Sequence, residues 1–504
     1  MPVIQTADLI QGQVVGDNFT NDQVYNALDC ALTLEIFEEL CTLGNTPPEV
    51  YSFSRALQAP CLAAMRRGFL VDNYERQRAL GNLRSERTDL MNALQRMAYA
   101  VWDRGLNPSS TIQLRSFFYD AMRLPKQYIS IKGVRSLSMN REVMEKLQDY
   151  FHAMPIAATI LAVRDLDKQI QDFEQLLDSD GRYRTSFNIA GTESFRFSSS
   201  KSSTGSGGNL QNKKRDDDIG EGELSLRRPF IADPGFKLCE IDLEQAESRE
   251  VGWLCWMLFG DESYLKSCES GDLHTTVCQM TWPDMAWAGT ASDRKIAEQI
   301  FYRNYSYRDM AKKLGHGSNY FGTAYTMSRQ AKIPLKLAQE FQSKYFHAFP
   351  GIPKWHRWTA QQLQTKNETV NSFGVARTFF GRANSDETLR EAIAYSPQSS
   401  TAMRTNLAWW RIWNYMPEVE LLAQKHDSIT FQFPEELPEQ EIISRALALF
   451  STPLHHNGRA FDVPGEAKSG WNWGKYDEKL NPDGMKKFKG IDNRKRHVGM
   501  ERIL

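Results

Sequence analysis

Two stretches of the chain alternate between apolar and polar residues in the way that predicts β-strands. In residues 421–433 the apolar side chains share one strand face, and Asp427 is in phase with them. The apolar set is Ile429, Phe431 and Phe433. In residues 234–254, Glu240 and Asp242 share a strand face, and Asp242 closes the strand before an evident helix. We therefore predict two strands, each carrying an aspartate at the edge of an apolar run.

Most of the remaining chain shows apolar residues at helical intervals. Residues 21–42 have an Asn/Asp start and predict one helix, and residues 54–105 predict helices with a turn at "RRGFLVDN". Further helices, separated by Pro and Gly, are predicted within residues 106–180. Helices are also predicted from the end of the strand that carries Asp242 to about residue 370, and over 386–416. The pattern indicates an α+β protein without an internal repeat.

Composition is typical of a globular protein of two to four folded units, with 504 residues, 41% of them hydrophobic and 11% aromatic. The longest strongly apolar run, Val251–Phe259, is too short to cross a bilayer, and the N-terminus lacks the pattern of a secretory signal. We therefore expect a cytoplasmic protein with no membrane partner. Seven scattered cysteines without a C-x-x-C pair predict reduced thiols and no zinc site.

Two segments stand out by charge and composition. A net charge of −1 does not decide for or against nucleic acid, because local patches bind a polyanion. From Asn481 to the C-terminus, seven Lys/Arg accompany three acids, which favours a solvated disordered end over a nucleic-acid-binding arm. Residues 191–225 are rich in Ser, Gly and charges, and composition alone favours a flexible linker there.

The two strand-associated aspartates, Asp242 and Asp427, suggest a chemistry if they meet. A lone buried carboxylate is costly, and two side by side repel each other unless a divalent cation lies between them. Two-metal phosphoryl transfer needs such a pair, and Mg²⁺ fits because it binds one or two carboxylates plus substrate phosphates. On spacing alone, ordinary strand-end aspartates are the favoured interpretation, because any α+β protein has them.

A predicted helix within residues 305–328 has four side chains at intervals of four, which places them along one face. They are Arg308, Lys312, His316 and Tyr320. Two cations and two flat rings suit a nucleoside triphosphate, whereas a solvated basic face would explain the cations alone. Gly315 and Gly317 each lower helix propensity by about 1 kcal/mol relative to Ala. We expect these glycines to let a nucleobase approach the backbone.

Seven segments, in order over roughly residues 50–475, resemble motifs of the family A DNA polymerases, the group of bacterial DNA polymerase I and many bacteriophage replicases. "DLEQAESR" (242–249) is similar to motif A, "RDMAKKLGHGSNY" (308–320) to motif B, and "KHDS" (425–428) to motif C. "TESFRFSS…NLQN" (192–212) resembles the segment that cradles primer and template, which overrides the linker interpretation. The segments "GDLH", "PQSSTA" and "VPGEAKSGWNWG" match further blocks.

The resemblance implies a template-directed DNA polymerase, expected to be of the bacteriophage type, that acts on primer–template DNA and dNTPs. It implies that Asp242 and Asp427 hold two Mg²⁺ ions, for which Mn²⁺ is expected to substitute. The residues implied to grip the triphosphate are Arg308, Lys312, His274 and Gln245. Glu247 with Tyr320 would fill the space of a ribose 2′-OH. The residues implied to contact DNA are Arg196, Asn209, Gln211, Gln398 and His426.

Three positions depart from the family pattern. His316 replaces the Phe or Tyr that stacks on the incoming base, and an imidazole can also stack. Phe195 replaces the glycine before Arg196, and Ser428 replaces the glutamate of motif C. We expect two carboxylates to suffice for two cations that also share phosphate oxygens.

Tyr25 and Asp29 resemble the Y-x3-D motif that ends the family's 3′–5′ exonuclease domain. Only 24 residues precede Tyr25, so the other carboxylates of such a site are missing from this sequence. We predict that this chain alone does not proofread. Segment 1–45 is expected to be a packing remnant, with a dock for a separately encoded exonuclease as the alternative. A helicase and a processivity factor are further partners that stay open.

The implied architecture is a right-hand polymerase fold of palm, fingers and thumb, with an antiparallel palm sheet and many helices. The expected layout is an exonuclease remnant at 1–48, thumb 49–190, primer–template segment and first palm part 191–250, fingers 251–372, second palm part 373–480, and basic tail 481–504. Two other classes stay open. A single-subunit RNA polymerase needs a small residue in place of Glu247, and a non-catalytic DNA-binding scaffold would not need either aspartate.

Overall fold

The computed structural model describes residues 21–43, 48–131, 134–213, 225–302 and 305–488. The helices are α1 (Asn21–Leu43), α2 (Pro48–Ala56), α3 (Gln58–Arg67), α4 (Asn73–Trp102), α5 (Thr111–Arg115), α6 (Arg141–Leu147), α7 (Met154–Phe173), α8 (Ala246–Phe259), α9 (Ser263–Glu269), α10 (Leu273–Thr281), α11 (Asp293–Ala297), α12 (Tyr307–Asn319), α13 (Ala324–Ala331), α14 (Leu335–Ala348), α15 (Gly351–Lys366), α16 (Asp386–Tyr415) and α17 (Glu439–Phe450). A π-helical turn covers Ser116–Ala121, and a 3-10 turn covers Leu210–Asn212.

The strands are β1 (Phe69–Val71), β2 (Tyr128–Ile131), β3 (Val134–Leu137), β4 (Arg182–Tyr183), β5 (Thr185–Asn188), β6 (Ser198–Lys201), β7 (Phe230–Ile231), β8 (Phe236–Leu243), β9 (Ile300–Tyr302), β10 (Tyr305–Ser306), β11 (Glu368–Val370), β12 (Ala376–Thr378), β13 (Glu420–Lys425), β14 (Ser428–Pro434), β15 (Leu454–His456), β16 (Arg459–Phe461), β17 (Gly465–Gly470) and β18 (Lys486–Lys487). The chain divides into two compact units. The first comprises residues 1–58 and 247–400, and the second comprises residues 59–246 and 401–504.

The second unit contains a five-stranded antiparallel sheet in the order β13–β14–β8–β17–β18. Along β8, Cys239 and Ile241 are completely buried on one face, opposite Phe431 and Ile429 of β14. Each fully buried side chain of this kind contributes about 1.5–3 kcal/mol. The apolar set predicted for β14 therefore packs with the face of β8 opposite to the one that carries Asp242.

Helices α4 and α7 form the main helical layer of the second unit. Helix α4 is capped at its N-terminus by Asp72, whose carboxylate accepts hydrogen bonds from the backbone N–H groups of Tyr74 and Glu75. Its inner face packs against α7 through a set of buried apolar side chains. That set includes Leu80, Leu83, Leu166, Ile170 and Phe173.

Two local predictions in this unit were wrong. The stretch predicted as a simple turn after residue 65 contains strand β1, which pairs with β4 and β7. Gly68 directly precedes this strand and has a φ of 69°, a left-handed conformation that glycine adopts easily. Residues 106–180, predicted as helices only, also contain the hairpin β2–β3. All three strands have only three or four residues, too few for a clear alternation in the sequence, so tertiary pairing decides their conformation.

Residues 191–213 form ordered structure, so the linker expectation from composition was wrong for them. They contain β6, which pairs with β5, and the 3-10 turn at Leu210–Asn212. Gly207 has a φ of 59°, and a Cβ there would lie 1.7 Å from the backbone oxygen of Arg184. Small residues in this segment therefore serve close packing. Residues 214–224 lie outside the described part of the chain.

The first unit has a core built around α10, α12, α14 and α15. Helix α12 starts with a capping box, in which the Ser306 hydroxyl and the Asp309 carboxylate satisfy each other's backbone N–H groups. Its buried side, with Met310 and Leu314, packs against Tyr345 among other residues. Helix α1 confirms the helix predicted over 21–42.

Among the described residues, no helix has both the length and the apolar composition that crossing a bilayer requires. The predicted basic tail is described only up to residue 488, and its remaining part lies outside the described residues, as do residues 1–20 of the predicted exonuclease remnant.

Candidate active site

Asp242 and Asp427 are brought together at one end of the five-stranded sheet. Asp242 on β8 pairs directly with Ser428 of β14, and the Leu243 N–H donates a 2.9 Å hydrogen bond to the Asp427 backbone oxygen. From these pairings and standard sheet spacings, the Cα atoms of the two aspartates lie roughly 6–8 Å apart. Both side chains are half-buried. Two acids that are 185 positions apart in sequence are thus neighbours in the fold.

The position of Asp427 differs from the prediction. It does not lie on a strand in phase with Ile429, but in a two-residue turn with His426 that joins β13 to β14. Strict alternation would have placed it on the face opposite Asp242, because Asp242 pairs with Ser428. The turn removes that constraint, since its residues do not follow the pleat. Ser428, which replaces the family's glutamate, is buried next to Asp242.

The residues fit a magnesium site of low protein ligand number. Within the described ranges, no group of three or more His, Cys, Asp and Glu side chains is placed to hold a metal ion. Two neighbouring carboxylates are oxygen donors of the kind Mg²⁺ prefers, and this ion keeps water and substrate phosphate in its remaining positions. The donor set therefore suits Mg²⁺ better than zinc, which takes mainly Cys and His.

Asn209 and Gln211 hold the segment that was predicted to follow DNA. The Asn209 side-chain oxygen accepts hydrogen bonds from the Ser199 hydroxyl, at 2.7 Å, and from the Asn212 N–H, at 3.1 Å. The Gln211 amide donates to the Gln424 backbone oxygen at 3.2 Å. The segment is thereby fastened to the edge strand β13, and direct contact of these two side chains with DNA stays a prediction.

Two other predicted residues of the second unit lie at or next to positions with a left-handed backbone. Phe195, which precedes Arg196, has a φ of 60°, and Gln245, in the turn after β8, has a φ of 52°. This conformation costs a residue with a Cβ about 1–2 kcal/mol, which explains why a glycine suits the position of Phe195. Arg196 and Gln245 are half-buried, whereas His426 is exposed.

The first unit carries the predicted cationic face. Lys312 and His316 are exposed on α12, while Arg308 and the cap residue Tyr320 are half-buried. The rings of His316 and Tyr320 lie 4.8 Å apart between centroids and are tilted by 56°. One helix face thus presents two cations and two flat rings in the order expected from the sequence.

Arg308 is held in place by an acid that sequence reasoning did not single out. Asp272 accepts two hydrogen bonds from the Arg308 guanidinium, at 3.1 and 3.2 Å, and also caps helix α10. Burial alone would raise the pKa of Asp272, but hydrogen bonds from Arg308 and Thr275 outweigh it and lower the pKa below its ordinary value. The signal available in the sequence was the aspartate of "GDLH", which directly precedes a helical run.

His274 follows Asp272 by two positions and is kept neutral. Burial, reinforced by the positive charge of Arg308, lowers its pKa from 6.5 to about 4. A neutral imidazole can donate one hydrogen bond and accept another. His274 is therefore suited to hydrogen-bonding a phosphate oxygen or a water rather than to neutralising charge.

Glu247 and Tyr320 are in direct contact, as predicted for a sugar gate. The Tyr320 hydroxyl donates a hydrogen bond to the Glu247 carboxylate. Both side chains are half-buried.

Gln398, also half-buried, lies in α16 next to Ser399 and Ser400, whose hydroxyls accept hydrogen bonds from the Asn371 amide and the Ser372 N–H.

The explanation predicted for the glycines of α12 was wrong. A Cβ on Gly315 would lie 3.3 Å from the Tyr345 ring, and a Cβ on Gly317 would lie 2.7 Å from the Met327 sulfur. Both glycines therefore face the protein's own side chains. They allow neighbouring helices to approach α12, which accounts for them without a nucleobase.

A family model, DNA polymerase family A, matches residues 77–475. Thermostable DNA polymerase I of Thermus aquaticus is 28% identical over 347 residues, covering 66% of this chain and 38% of the relative. DNA polymerase I of Treponema pallidum is 25% identical over 467 residues, covering 90% of this chain and 43% of the relative. The chain spans about two fifths of the length of these relatives. They are bacterial, so the predicted bacteriophage origin stays a prediction.

The fold also resembles a solved structure, described as the POL domain of Pol1 from M. smegmatis in complex with DNA primer–template and dNTP. The TM-score is 0.66 at 22% identity, with 83% of this chain and 69% of that chain covered. At this identity the likeness establishes the fold alone. It confirms the predicted α+β polymerase fold.

Proposed function

This chain belongs to DNA polymerase family A, and we propose that it adds deoxynucleotides to a primer 3′ end under the direction of a DNA template. The observation that carries the proposal is the register of β8 and β14, which sets Asp427 beside Asp242. Nothing in the apolar core requires two acids at that end of the sheet. Phosphoryl transfer does require them, because both the attacking and the leaving oxygen need a counter-charge.

In the second unit, Asp242 and Asp427 would hold two Mg²⁺ ions. Such ions, when bound, help deprotonate the primer 3′-hydroxyl and stabilise the charge on the transferred phosphate and on the departing pyrophosphate. The role of the two carboxylates would be to hold that metal site next to the primer end. Mn²⁺ is expected to substitute, since it accepts the same oxygen donors.

In the first unit, the face of α12 would bind a deoxynucleoside triphosphate. Arg308 and Lys312 supply positive charge for the phosphates, and Asp272 holds the Arg308 guanidinium in a fixed orientation. A preorganised cation stabilises developing phosphate charge better than a mobile one, because no reorganisation is needed during the reaction. The rings of His316 and Tyr320 offer flat surfaces to base and sugar.

Primer extension with Asp242→Asn and Asp427→Asn tests the proposal. Each change keeps the side-chain volume but removes a charge, and we expect the extension rate to fall by at least about a thousandfold. Affinity for primer–template should stay within about threefold, since each change alters one metal-binding group. Glu435→Gln is a matched control at the far end of the same hairpin, where the carboxylate contacts Trp471. Full extension by both Asn variants would refute the role assigned to these acids, and a lack of extension by the unmodified chain despite DNA binding would favour the DNA-binding scaffold instead.

Two finer parts of the proposal have separate tests. Choice of deoxynucleotides over ribonucleotides rests on Glu247 and Tyr320, and it separates this activity from that of a single-subunit RNA polymerase. Absence of proofreading stays a prediction. It is checked by incubating the chain with a primer that ends in a mismatch, where release of the terminal nucleotide in the absence of dNTPs would contradict it.

A further inference from the structure

A cluster of buried charges surrounds Trp473 in the second unit. The indole N–H donates to the Glu240 carboxylate, and Arg227 forms an ion pair with Glu240 at 3.3 Å. The Arg227 guanidinium carbon lies 4.4 Å from the centroid of the indole ring, and the Lys425 ammonium lies 5.3 Å from it. Each of these four residues is at least nine-tenths buried. The sequence motifs assigned none of these four residues a catalytic or binding role.

Two residues of the cluster lie close in sequence to the two candidate metal-binding acids. Glu240 precedes Asp242 by two positions on β8, and Lys425 precedes Asp427 by two positions at the end of β13. Lys425 pairs with Ser428, and Ser428 pairs with Asp242. Lys425, Ser428 and Asp242 therefore form one row on the same face of the sheet.

Lys425 also reaches out of the sheet to the segment that covers its edge. Its ammonium donates a 2.6 Å hydrogen bond to the backbone oxygen of Lys213, the residue after the 3-10 turn. The Lys213 ammonium in turn donates to the backbone oxygen of Asp172, in α7, at 3.1 Å. A continuous set of contacts thus connects α7, the 3-10 turn and the turn that carries Asp427.

Stability alone is a poor reason for burying these charges. Replacing a buried ion pair by well-packed apolar side chains is often neutral or stabilising, because desolvation offsets the Coulomb attraction. What a charged hydrogen bond adds is a fixed direction. Among the strands of the described residues, β13 lies at the edge of its sheet and pairs with β14 alone. The turn after it therefore needs an outer anchor, and Lys425 supplies one.

We propose that Lys425 is a positioning residue that fixes Asp427 relative to Asp242. Its ammonium ties the end of β13 to the Lys213 carbonyl, and the adjoining turn is held where the Leu243 N–H can bond to the Asp427 oxygen. This inference rests on the proposed polymerase function for its kinetic consequence. Its structural consequence, a firmly held turn, can be measured without activity.

The test compares Lys425→Met, which keeps the length of the side chain but loses its ammonium, with Lys425→Arg, which keeps a donor and a charge. Displacement of reacting groups by about 1 Å can cost a hundredfold in rate. We therefore expect kcat for primer extension to fall by roughly 10- to 100-fold in Lys425→Met, with KM for dNTP changed by less than about threefold. Lys425→Arg should recover most of kcat.

Hydrogen exchange supplies the readout that does not depend on catalysis. The Leu243 amide is protected by its bond to the Asp427 oxygen, and loosening of the turn should speed its exchange at least about tenfold in Lys425→Met. Lys237→Met is the matched control. Lys237 also contacts a tryptophan, with its ammonium 4.5 Å from the Trp471 centroid, and pairs with Glu439 at 2.9 Å, but it lies near the other end of β8.

The control variant should keep kcat within about twofold and leave the Leu243 exchange rate unchanged. Equal losses of kcat in both methionine variants, or normal kcat and normal Leu243 exchange in Lys425→Met, would overturn the proposal. Should Lys425→Met not fold, Lys425→Arg and Lys425→Gln carry the test, and exchange must then be faster in Gln than in Arg. If the unmodified chain extends no primer, the proposed function fails, while the exchange rates still decide on the tether.

Discussion

The hydrogen bond from Tyr320 to Glu247 gives a quantitative test of sugar selection. Glu247→Ala removes the carboxylate but keeps a good helix former in the first turn of α8. Tyr320→Phe keeps the ring beside His316 and removes only the hydroxyl. The two variants therefore separate the bulk of the carboxylate from the bond that holds it in place, and the double variant completes a cycle.

The size of the coupling follows from the environment of the pair. A hydrogen bond to a charged acceptor contributes about 1.5–3 kcal/mol, and half-burial with solvent screening reduces this to about 1–2 kcal/mol here. Crowding one extra hydroxyl into a filled site costs roughly 1–3 kcal/mol. At 1.36 kcal/mol per tenfold in rate, Glu247→Ala should lower the preference for dNTP over rNTP by roughly 5- to 150-fold.

The assay measures kcat/KM for one dNTP and its rNTP in single-nucleotide extension, and the free energy of unfolding in urea, for all four proteins. Tyr320→Phe should show an intermediate preference, because its carboxylate is present but no longer held. The reasoning is refuted if the unfolding free energies add within about 0.3 kcal/mol and Glu247→Ala selects sugars as the unmodified chain does. Additive unfolding free energies would mean that the hydrogen bond from Tyr320 to Glu247 contributes nothing. Unchanged sugar selection would mean that Glu247 does not exclude the ribose 2′-OH.

Two further predictions concern stability. Because burial lowers the pKa of His274 to about 4 from 6.5, the unfolded state takes up this proton first, so the free energy of unfolding falls as the pH drops from about 6.5 towards 4. His274→Asn should make urea unfolding less pH-dependent in that range, and an unchanged slope would contradict this. Gly205→Ala should destabilise by about 1–2 kcal/mol, since its φ is 80° but its surroundings are open. Gly207→Ala should cost roughly 2–5 kcal/mol, because its Cβ would also meet the Arg184 oxygen at 1.7 Å; equal costs in urea unfolding would show a loosely packed segment.

The sequence predicted those features that depend on local periodicity. Strand β8, helix α12 and the row of Arg308, Lys312 and His316 follow directly from spacing, and the structure confirms them as elements. The turn at Asp427 was not predicted, because His426–Asp427 lacks the Asn-Gly or Asp-Gly signal of a two-residue hairpin turn. When the alternation of apolar residues was continued through this turn, it placed Asp427 on the sheet face opposite Asp242.

Features that depend on distant partners could not be predicted from the sequence. The glycines of α12 were misinterpreted because their contacts, Tyr345 and Met327, lie on other helices. Asp272 was missed because its ion pair with Arg308 joins residues 36 positions apart. Glu240 and Lys425 are visible in the sequence as charged residues, but only the fold shows that both side chains reach Trp473.

The placement of the two acids is decided by residues that carry no chemistry. Seven consecutive pairs join β8 to β14, and Ile241, Ile429 and Phe431 among them are completely buried. A slip by one residue would exchange this apolar set with the polar side chains of Thr430 and Gln432, which are buried on the other face, and polar groups would enter the apolar layer without their partners. The register is therefore fixed by the hydrophobic core, and it brings Asp427 next to Asp242 across 185 positions. Core substitutions in these strands that preserve stability but shift the pairing should abolish extension as completely as loss of an aspartate.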